Sequence, residues 1–324
     1  MLLTTSKHLT GILLKILKWS LVALFLWLAF RDVDLEGLTR AFARYDMTAV
    51  AGMFLIYLPG YALQAFRLRF LCQREAALGA CFNVVFLGFF LNNVLPAKLG
   101  ELGKVVYLRQ KVGFRGARSL AIVFWERFFD VNAIVLLAVY GAVVYQIDYL
   151  VYSLLLGVLV LWSYIALAHL RPGVVAALIR LVPGQQLRLF VGDATQQLQR
   201  RASPHFFGVL GLYTAVCLAH LIAFQAAGLY WLADLNLGLW DCLAASAVFV
   251  LGLILPTTPG ALGVAEAAMV LALRPFYVPK ETALALGLTL HMVIYIPGVL
   301  GGMLVLARSK FSISSLRQQW REPM

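Results

Sequence analysis

The chain has 324 residues, of which 62% are hydrophobic and only 13% charged, with a mean hydropathy of +0.86 and a formal net charge of +12. This composition excludes a soluble globular protein and describes a polytopic membrane protein with no stretch polar enough for a separate soluble domain. The basic excess does not call for nucleic acid, because anionic lipid headgroups attract the same charge.

The first apolar run, 12 to 30, follows Lys7, Lys15 and Lys18 and shows no small-residue cleavage site before Arg31. It is therefore expected to be a retained span rather than a signal peptide. Asp34 and Glu36 beyond it read as ordinary loop charges. The runs 49 to 70, 117 to 145, 149 to 170, 206 to 233 and 281 to 307 each reach the roughly 20 residues that a helix needs to cross a bilayer.

Two further apolar runs are broken. Residues 82 to 110 are interrupted at Pro96, Gly100 and Gly103, and residues 241 to 273 at Pro256, Pro259, Gly260 and Gly263. Unwound backbone is tolerated at bilayer depth only where protein or a wet cavity surrounds it, so each run is expected to form a re-entrant helical hairpin. The expected fold is an all-α integral membrane protein, a single domain over 1 to 324, with about six full transmembrane helices plus two hairpins.

The breaks themselves repeat. Leu95-Pro96-Ala97-Lys98-Leu99-Gly100-Glu101-Leu102-Gly103 returns 160 residues later as Leu255-Pro256-Thr257-Thr258-Pro259-Gly260-Ala261-Leu262-Gly263, identical at five of nine positions. If both hairpins return to the face they left, Lys7 to Lys18, Arg67 to Arg74, Lys104 to Arg118, Arg171 to Arg201 and Arg308 to Arg321 share one side. Only Arg31, Arg40, Arg44, Arg274 and Lys280 face the other, while Lys98 and Arg127 stay at membrane depth. Lys and Arg collect in cytoplasmic loops, so this bias makes both termini cytoplasmic in a bacterial inner membrane. Three full spans separate the hairpins, which makes the repeats inverted, the architecture of alternating-access carriers.

The longest polar stretch, Arg171 to His205, contains Val174, Val175, Leu178, Leu181 and Val182 at helical spacing. It reads either as a helix on the membrane surface or as an ordinary basic connector. Cys72, Cys81, Cys217 and Cys242 lack the short paired spacing of metal sites or disulfide frameworks and read as small buried hydrophobes. His220 and His291 stand inside spans without a second ligand at metal spacing, so hydrogen-bonded core positions are expected for both, and neither metal nor cofactor is implied.

Ionisable side chains at depth carry the chemistry, since each costs about 2.5 to 3.5 kcal/mol at a helix centre unless it is paired or solvated. In the first hairpin these are Lys98, Glu101 and Lys104, preceded by the amides Asn92 and Asn93. Glu101 falls at the start of the returning half-helix, where free N–H groups favour an anion, and Lys98 with those groups would suit a phosphate. Glu126, Arg127 and Asp130 fall within one helical turn; Arg127 and Asp130 at i and i+3 are spaced to pair, leaving Glu126 for Lys98 or Lys104. The second hairpin offers Thr257 and Thr258, whose hydroxyls suit backbone freed by the prolines, and Glu266. Glu266 has no basic neighbour in sequence, so it must find one across the fold or hold a proton, which makes it a proton-coupling candidate.

Three blocks together resemble the lysylphosphatidylglycerol synthase transmembrane region family. They are Asn92-Asn93-Val94-Leu95-Pro96-Ala97-Lys98-Leu99-Gly100-Glu101-Leu102-Gly103-Lys104, then Glu126-Arg127 with Asp130, then Pro256 with Pro259-Gly260, Gly263 and Glu266. The resemblance covers nearly the whole chain and implies an integral, flippase-like membrane unit, found in that family both free-standing and fused to a soluble aminoacyl-transfer domain. No fused domain is expected here. The sequence departs from the pattern at Lys98 and Lys104, where arginine is the family's residue, and lysine does not bind phosphate bidentately.

A lipid transporter or flippase is thus the expected function, with Asn92, Asn93, Lys98, Glu101, Lys104, Glu126, Arg127, Asp130, Thr257, Thr258 and Glu266 as substrate-site candidates and a membrane lipid as substrate. No nucleotide-binding loop is visible, so the driving force would be a gradient, the membrane potential or downstream consumption. Two other classes fit the residues: a membrane enzyme using Glu101, Glu126 or Asp130 as acid or base, and a scaffold that gathers lipid-biosynthetic enzymes on its basic face.

Overall fold

The computed structural model describes residues 33–94, 100–144, 148–181, 203–254 and 259–309, with single positions between 20 and 31, at 146 and between 185 and 196. Every regular element among the described residues is helical. In chain order they are α1 (Leu35–Ala43), α2 (Met47–Leu71), α3 (Leu78–Val94), α4 (Gly100–Tyr107), α5 (Gly116–Val144), α6 (Asp148–Leu170), α7 (Pro172–Arg180), α8 (Pro204–Trp231), α9 (Leu239–Ile254), α10 (Val264–Leu273) and α11 (Lys280–Ser309). A π-helical turn, Leu108–Val112, continues α4, and short 3-10 turns, Pro259–Ala261 and Arg274–Phe276, flank α10.

Four of the six expected spans are helices long and apolar enough to cross a membrane: α2, α5, α8 and α11. The expected span at 149 to 170 is α6, and the first expected span, 12 to 30, lies almost wholly outside the described residues. Helix α7 matches the helical spacing read after Arg171.

The chain divides into two compact units. The first comprises Met1–Tyr57, Asn92–Lys98 and Ile222–Ile296. Its centre is the second hairpin, in which α9 and α10 lie against each other so closely that a Cβ on Gly252 would overlap Ala268 and come within 3.3 Å of the Val264 carbonyl oxygen. The reversal between them uses Gly260 and Gly263 at φ of 66° and 80°, values open to glycine without penalty, while Ala261 adopts φ 55° between them. Gly287 of α11 packs on Met269, which holds α11 against α10. Tyr57 and Phe224 pack with ring centres 4.9 Å apart and ring planes tilted by 57°.

Helix α1 in this unit corrects one expectation. Asp34 is its N-cap, accepting from the backbone N–H groups of Glu36 at 3.0 Å and Gly37 at 2.9 Å, and is not a loose loop charge. The Lys280 ammonium donates to the Arg31 carbonyl, so two segments grouped by charge on the sparse face meet in space.

The second unit comprises Leu58–Leu91, Leu99–Leu221 and Pro297–Met324. Its first hairpin folds back on itself as its glycines require: a Cβ on Gly103 of α4 would overlap Leu91 of α3, and one on Gly88 of α3 would overlap the Lys104 side chain. Trp125 of α5 is fully buried among Phe128, Phe206 and Phe207, with ring centres 5.3 to 5.5 Å apart. Arg118 in the first turn of α5 pairs with Glu75 in the loop between α2 and α3 at 2.7 Å.

A second short repeat was not read from the sequence. Ile56-Tyr57-Leu58-Pro59-Gly60 in α2 returns as Ile294-Tyr295-Ile296-Pro297-Gly298 in α11, so both helices carry an internal proline followed by glycine. Each proline removes a helical hydrogen bond, and each glycine admits a neighbour: His220 lies 3.0 Å from a Cβ built on Gly60, and the Tyr61 hydroxyl 2.7 Å from one built on Gly298.

Gly301 and Gly302 continue that contact face of α11 against Phe86 and Phe90. A Cβ on Gly302 would overlap Phe90 and lie 2.7 Å from the Phe86 carbonyl oxygen, a backbone atom with little freedom to yield. Gly302→Ala is therefore expected to cost about 1 to 3 kcal/mol, read as a lowered unfolding midpoint in detergent. Gly157→Ala, where nothing lies within 4 Å, is expected to be neutral or slightly stabilising. Equal midpoints for the two would show that α3 and α11 do not need this close approach.

Candidate functional site

In the second unit, three cations and three carboxylates converge. Glu126 of α5 is fully buried; Lys104 donates to its Oε2 at 2.9 Å, and Nη2 of Arg67 donates to its Oε1 at 3.3 Å. Arg67 also grips Asp130 with both terminal nitrogens, at 2.5 and 3.3 Å, the two-pronged geometry that makes arginine–carboxylate pairs strong. Thr214 of α8 accepts a further bond from Arg67 at 3.4 Å. Arg127 closes the circuit, with Nη1 3.1 Å from Asp130 and Nε 2.9 Å from Glu101, whose carboxylate is 3.6 Å from Lys104.

Local sequence explains how the groups meet. Glu126 and Asp130 are one turn apart and share a face of α5, so a single cation beside that face reaches both. Gly88 leaves room for the aliphatic stem of Lys104 to cross α3 on its way to Glu126. The cluster sums to zero charge, the condition under which ion pairs survive in a low-dielectric interior. It is also graded: Arg67, Lys104 and Glu126 are 0 to 3% exposed, while Arg127 is 41%, Glu101 24% and Asp130 19% exposed.

Two expected pairs occur, Arg127 with Asp130 and Lys104 with Glu126. Arg67, grouped by sequence with the basic loops, is instead buried in these ion pairs, and Lys104, read both with that group and among the ionisable residues at depth, is buried beside it. Arg67 is the member of the cluster that the sequence reading missed, and charge balance held the signal: three acids at depth faced only Lys104 and Arg127 unless Lys98 or another cation joined them. Asn92 and Asn93 lie in the last turn of α3. Lys98, Thr257 and Thr258 lie outside the described residues.

The first unit holds a smaller centre. Glu266, 1% exposed, accepts the Gly263 N–H through Oε2 at 2.7 Å and places Oε1 2.8 Å from Nδ1 of His291 on α11. The partner that Glu266 had to find across the fold is thus a histidine, itself 2% exposed and edge-on to Tyr295. His291 is hydrogen-bonded in the core as expected. His220 is not matched so well: its Nε2 is buried against Gly60 without a hydrogen-bond partner among the described residues.

The two centres share a plan. Each sets an acid on the returning arm of a hairpin against a basic side chain from the next long helix: Glu101 meets Arg127, 26 residues on, and Glu266 meets His291, 25 residues on. A family model described as lysylphosphatidylglycerol synthase TM region matches residues 15–302, which takes in both hairpins and both centres. No curated protein matches the chain. The match extends over most of the sequence, and its span contains the helices and the charged residues described above; the chain belongs to the lysylphosphatidylglycerol synthase transmembrane-region family.

Proposed function

We infer that this protein, a membrane protein of a lipid-related family, is a carrier that moves a polar or anionic lipid across a bacterial inner membrane with both termini in the cytoplasm. The observation that carries the reading is the repeated plan of the two hairpins, each with a paired ionisable centre on its returning arm. Carriers built from two related halves place their substrate and coupling groups on such broken segments. The contact of Arg118 with Glu75, each beside a basic segment, and that of Lys280 with Arg31 in the sparse group support the orientation.

In this reading the accessible rim of the charged cluster, Arg127 with Glu101 and Asp130, exchanges partners with the lipid headgroup, while Arg67, Lys104 and Glu126 hold the rim in place. Lys98, Asn92, Asn93, Thr257 and Thr258 are the remaining substrate-site candidates, set by the sequence at or beside the two breaks. The Glu266–His291 pair is the site of proton exchange. A carboxylate and an imidazole 2.8 Å apart share one proton as a neutral pair, and when the proton leaves, the negative charge that remains on Glu266 is held by the Gly263 N–H.

The purified protein, reconstituted in liposomes with fluorescent phosphatidylglycerol, is expected to accelerate its redistribution between leaflets. Lys98→Ala and Glu101→Ala are each expected to slow that rate roughly tenfold with little change in folded yield, a single charge contact being worth 1 to 3 kcal/mol. Losses of rate that merely follow losses of yield would return both residues to a structural role. Mass spectrometry of copurified lipid separates the rival chemistry: trapped unmodified lipid supports the carrier, and a covalently altered lipid establishes an enzyme.

A further inference from the structure

Away from the charged cluster, the second unit contains a cleft of about 360 Å³ where the end of the first hairpin meets the end of α11. Its polar wall is Asn83 of α3, which donates to the Tyr107 hydroxyl at 3.0 Å, together with Ser309. Lys111 of the π-helical turn and Arg308 in the last turn of α11 stand at its rim. Leu304 and Val305 form its floor.

Charge distinguishes this cleft from the cluster. Lys104, Arg67 and Arg127 are each matched to a carboxylate within 3.3 Å. Among the described residues the cleft is lined by two cations and no acid, and neither Lys111 nor Arg308 has an acidic partner. Two like charges brought to one small cleft repel unless an anion joins them. The π-helical turn is the second irregular feature: such turns are rare and concentrate at functional sites, and this one carries Lys111 and ends at Gly113 in the left-handed conformation, φ 83°.

The floor decides what kind of anion fits. A free ion gains nothing from Leu304 and Val305, but the cleft continues into an exposed apolar strip on α11, where Leu300, Met303 and Leu304 are 60, 53 and 49% exposed at helical spacing. An acyl chain can lie along that strip while its phosphate sits between the cations, the arrangement by which basic pockets beside membrane helices hold anionic headgroups.

We propose that Asn83, Tyr107, Lys111 and Arg308 form a binding site for the phosphodiester headgroup of an anionic phospholipid, separate from the charged cluster. Lys111 and Arg308 neutralise the phosphate, the Asn83–Tyr107 pair fixes its depth, and α11 carries the chain. The site does not depend on transport: it stands or falls by equilibrium binding, whatever the protein does with lipid.

The test is a titration of the purified full chain in neutral detergent, read as the shift in unfolding midpoint, with dihexanoyl phosphatidylglycerol, dihexanoyl phosphatidylcholine and inorganic phosphate as probes. Phosphatidylglycerol is expected to stabilise the protein at concentrations where the other two do not. The double variant Lys111→Gln with Arg308→Gln is expected to weaken that binding roughly 30-fold, the effect of about 1 kcal/mol for each of two cations. Arg115→Ala, a change to an exposed basic-face residue outside the cleft, is expected to leave it unchanged. If the double variant unfolds early without ligand, Tyr107→Phe, which keeps the ring and removes the hydroxyl, must weaken binding several-fold on its own. Inorganic phosphate as effective as phosphatidylglycerol would overturn the lipid assignment and leave a free-anion site. Phosphatidylglycerol that stabilises the variants as well as the parent would overturn the site altogether.

Discussion

Replacing Arg67 with methionine is expected to remove about 3 to 5 kcal/mol of stability, the cost of breaking a buried ion pair from one side. Arg67 is 2% exposed and hydrogen-bonds both Glu126 and Asp130, whereas Arg127, the other cation that reaches both, stands 3.9 Å from Glu126. Its loss takes the cluster from neutral to a net negative charge and leaves Glu126, with no exposure of its own, dependent on Lys104 at 2.9 Å and the more distant Arg127 at 3.9 Å. Arg127→Met is expected to cost far less, because a side chain 41% exposed leaves its carboxylate partners accessible to water or lipid headgroups. The discriminating measurement is a double-mutant cycle followed by thermal unfolding in detergent. Arg67→Met combined with Glu126→Gln restores neutrality and is expected to unfold at a higher temperature than Arg67→Met alone, since removing both members of a buried pair is often close to neutral. A combined variant whose losses simply add would show that the pair is not energetically coupled and that the cluster is a set of independent contacts.

The same residue marks where sequence stops being enough. Helix positions were legible because a run of about 20 apolar residues has one stable arrangement in a bilayer, and α2, α5, α8 and α11 follow from that rule alone. The hairpins were legible because proline and glycine break helices for local reasons, so Gly260 and Gly263 could be named before their positive φ values were seen. Arg67 was not legible in this way. It stands near Arg69 and Arg74 at the end of a span, where long basic side chains ordinarily reach out to the headgroups, and only the positions of Glu126 and Asp130 in three dimensions turn it inward. The pairing of Glu266 with His291 has the same character: both residues stood out in the sequence, but what joins them is the packing of Gly287 on α10. Composition and local chemistry fix elements, whereas partners across elements depend on which small residues let two helices approach. The repeated Ile-Tyr-x-Pro-Gly of α2 and α11 was visible in the letters and went unread because it falls inside spans rather than at a break.

Glu266→Gln is expected to leave the protein folded and to abolish any dependence of transport on a pH gradient, with gradient-driven rates falling roughly tenfold or more. The carboxamide can reproduce both bonds: its carbonyl accepts the Gly263 N–H, and its NH2 donates to Nδ1 of His291 when the imidazole carries its proton on Nε2. What it cannot do is take up or release a proton. Glu266→Ala is the structural control, since it orphans the buried Gly263 N–H and leaves His291 facing a void, at a cost of about 1 to 3 kcal/mol for the unmet donor alone. His291→Gln should resemble Glu266→Gln in transport, because either change removes the two-site arrangement that shares the proton. Redistribution of phosphatidylglycerol in liposomes, with and without an imposed pH gradient, separates the roles. If Glu266→Gln transports with the parent's gradient dependence, the pair serves only to fasten α10 to α11, and the proton passes elsewhere. If both Gln variants keep gradient-free redistribution while losing its acceleration by the gradient, the second hairpin is the coupling element, and moving lipid is the work of other groups.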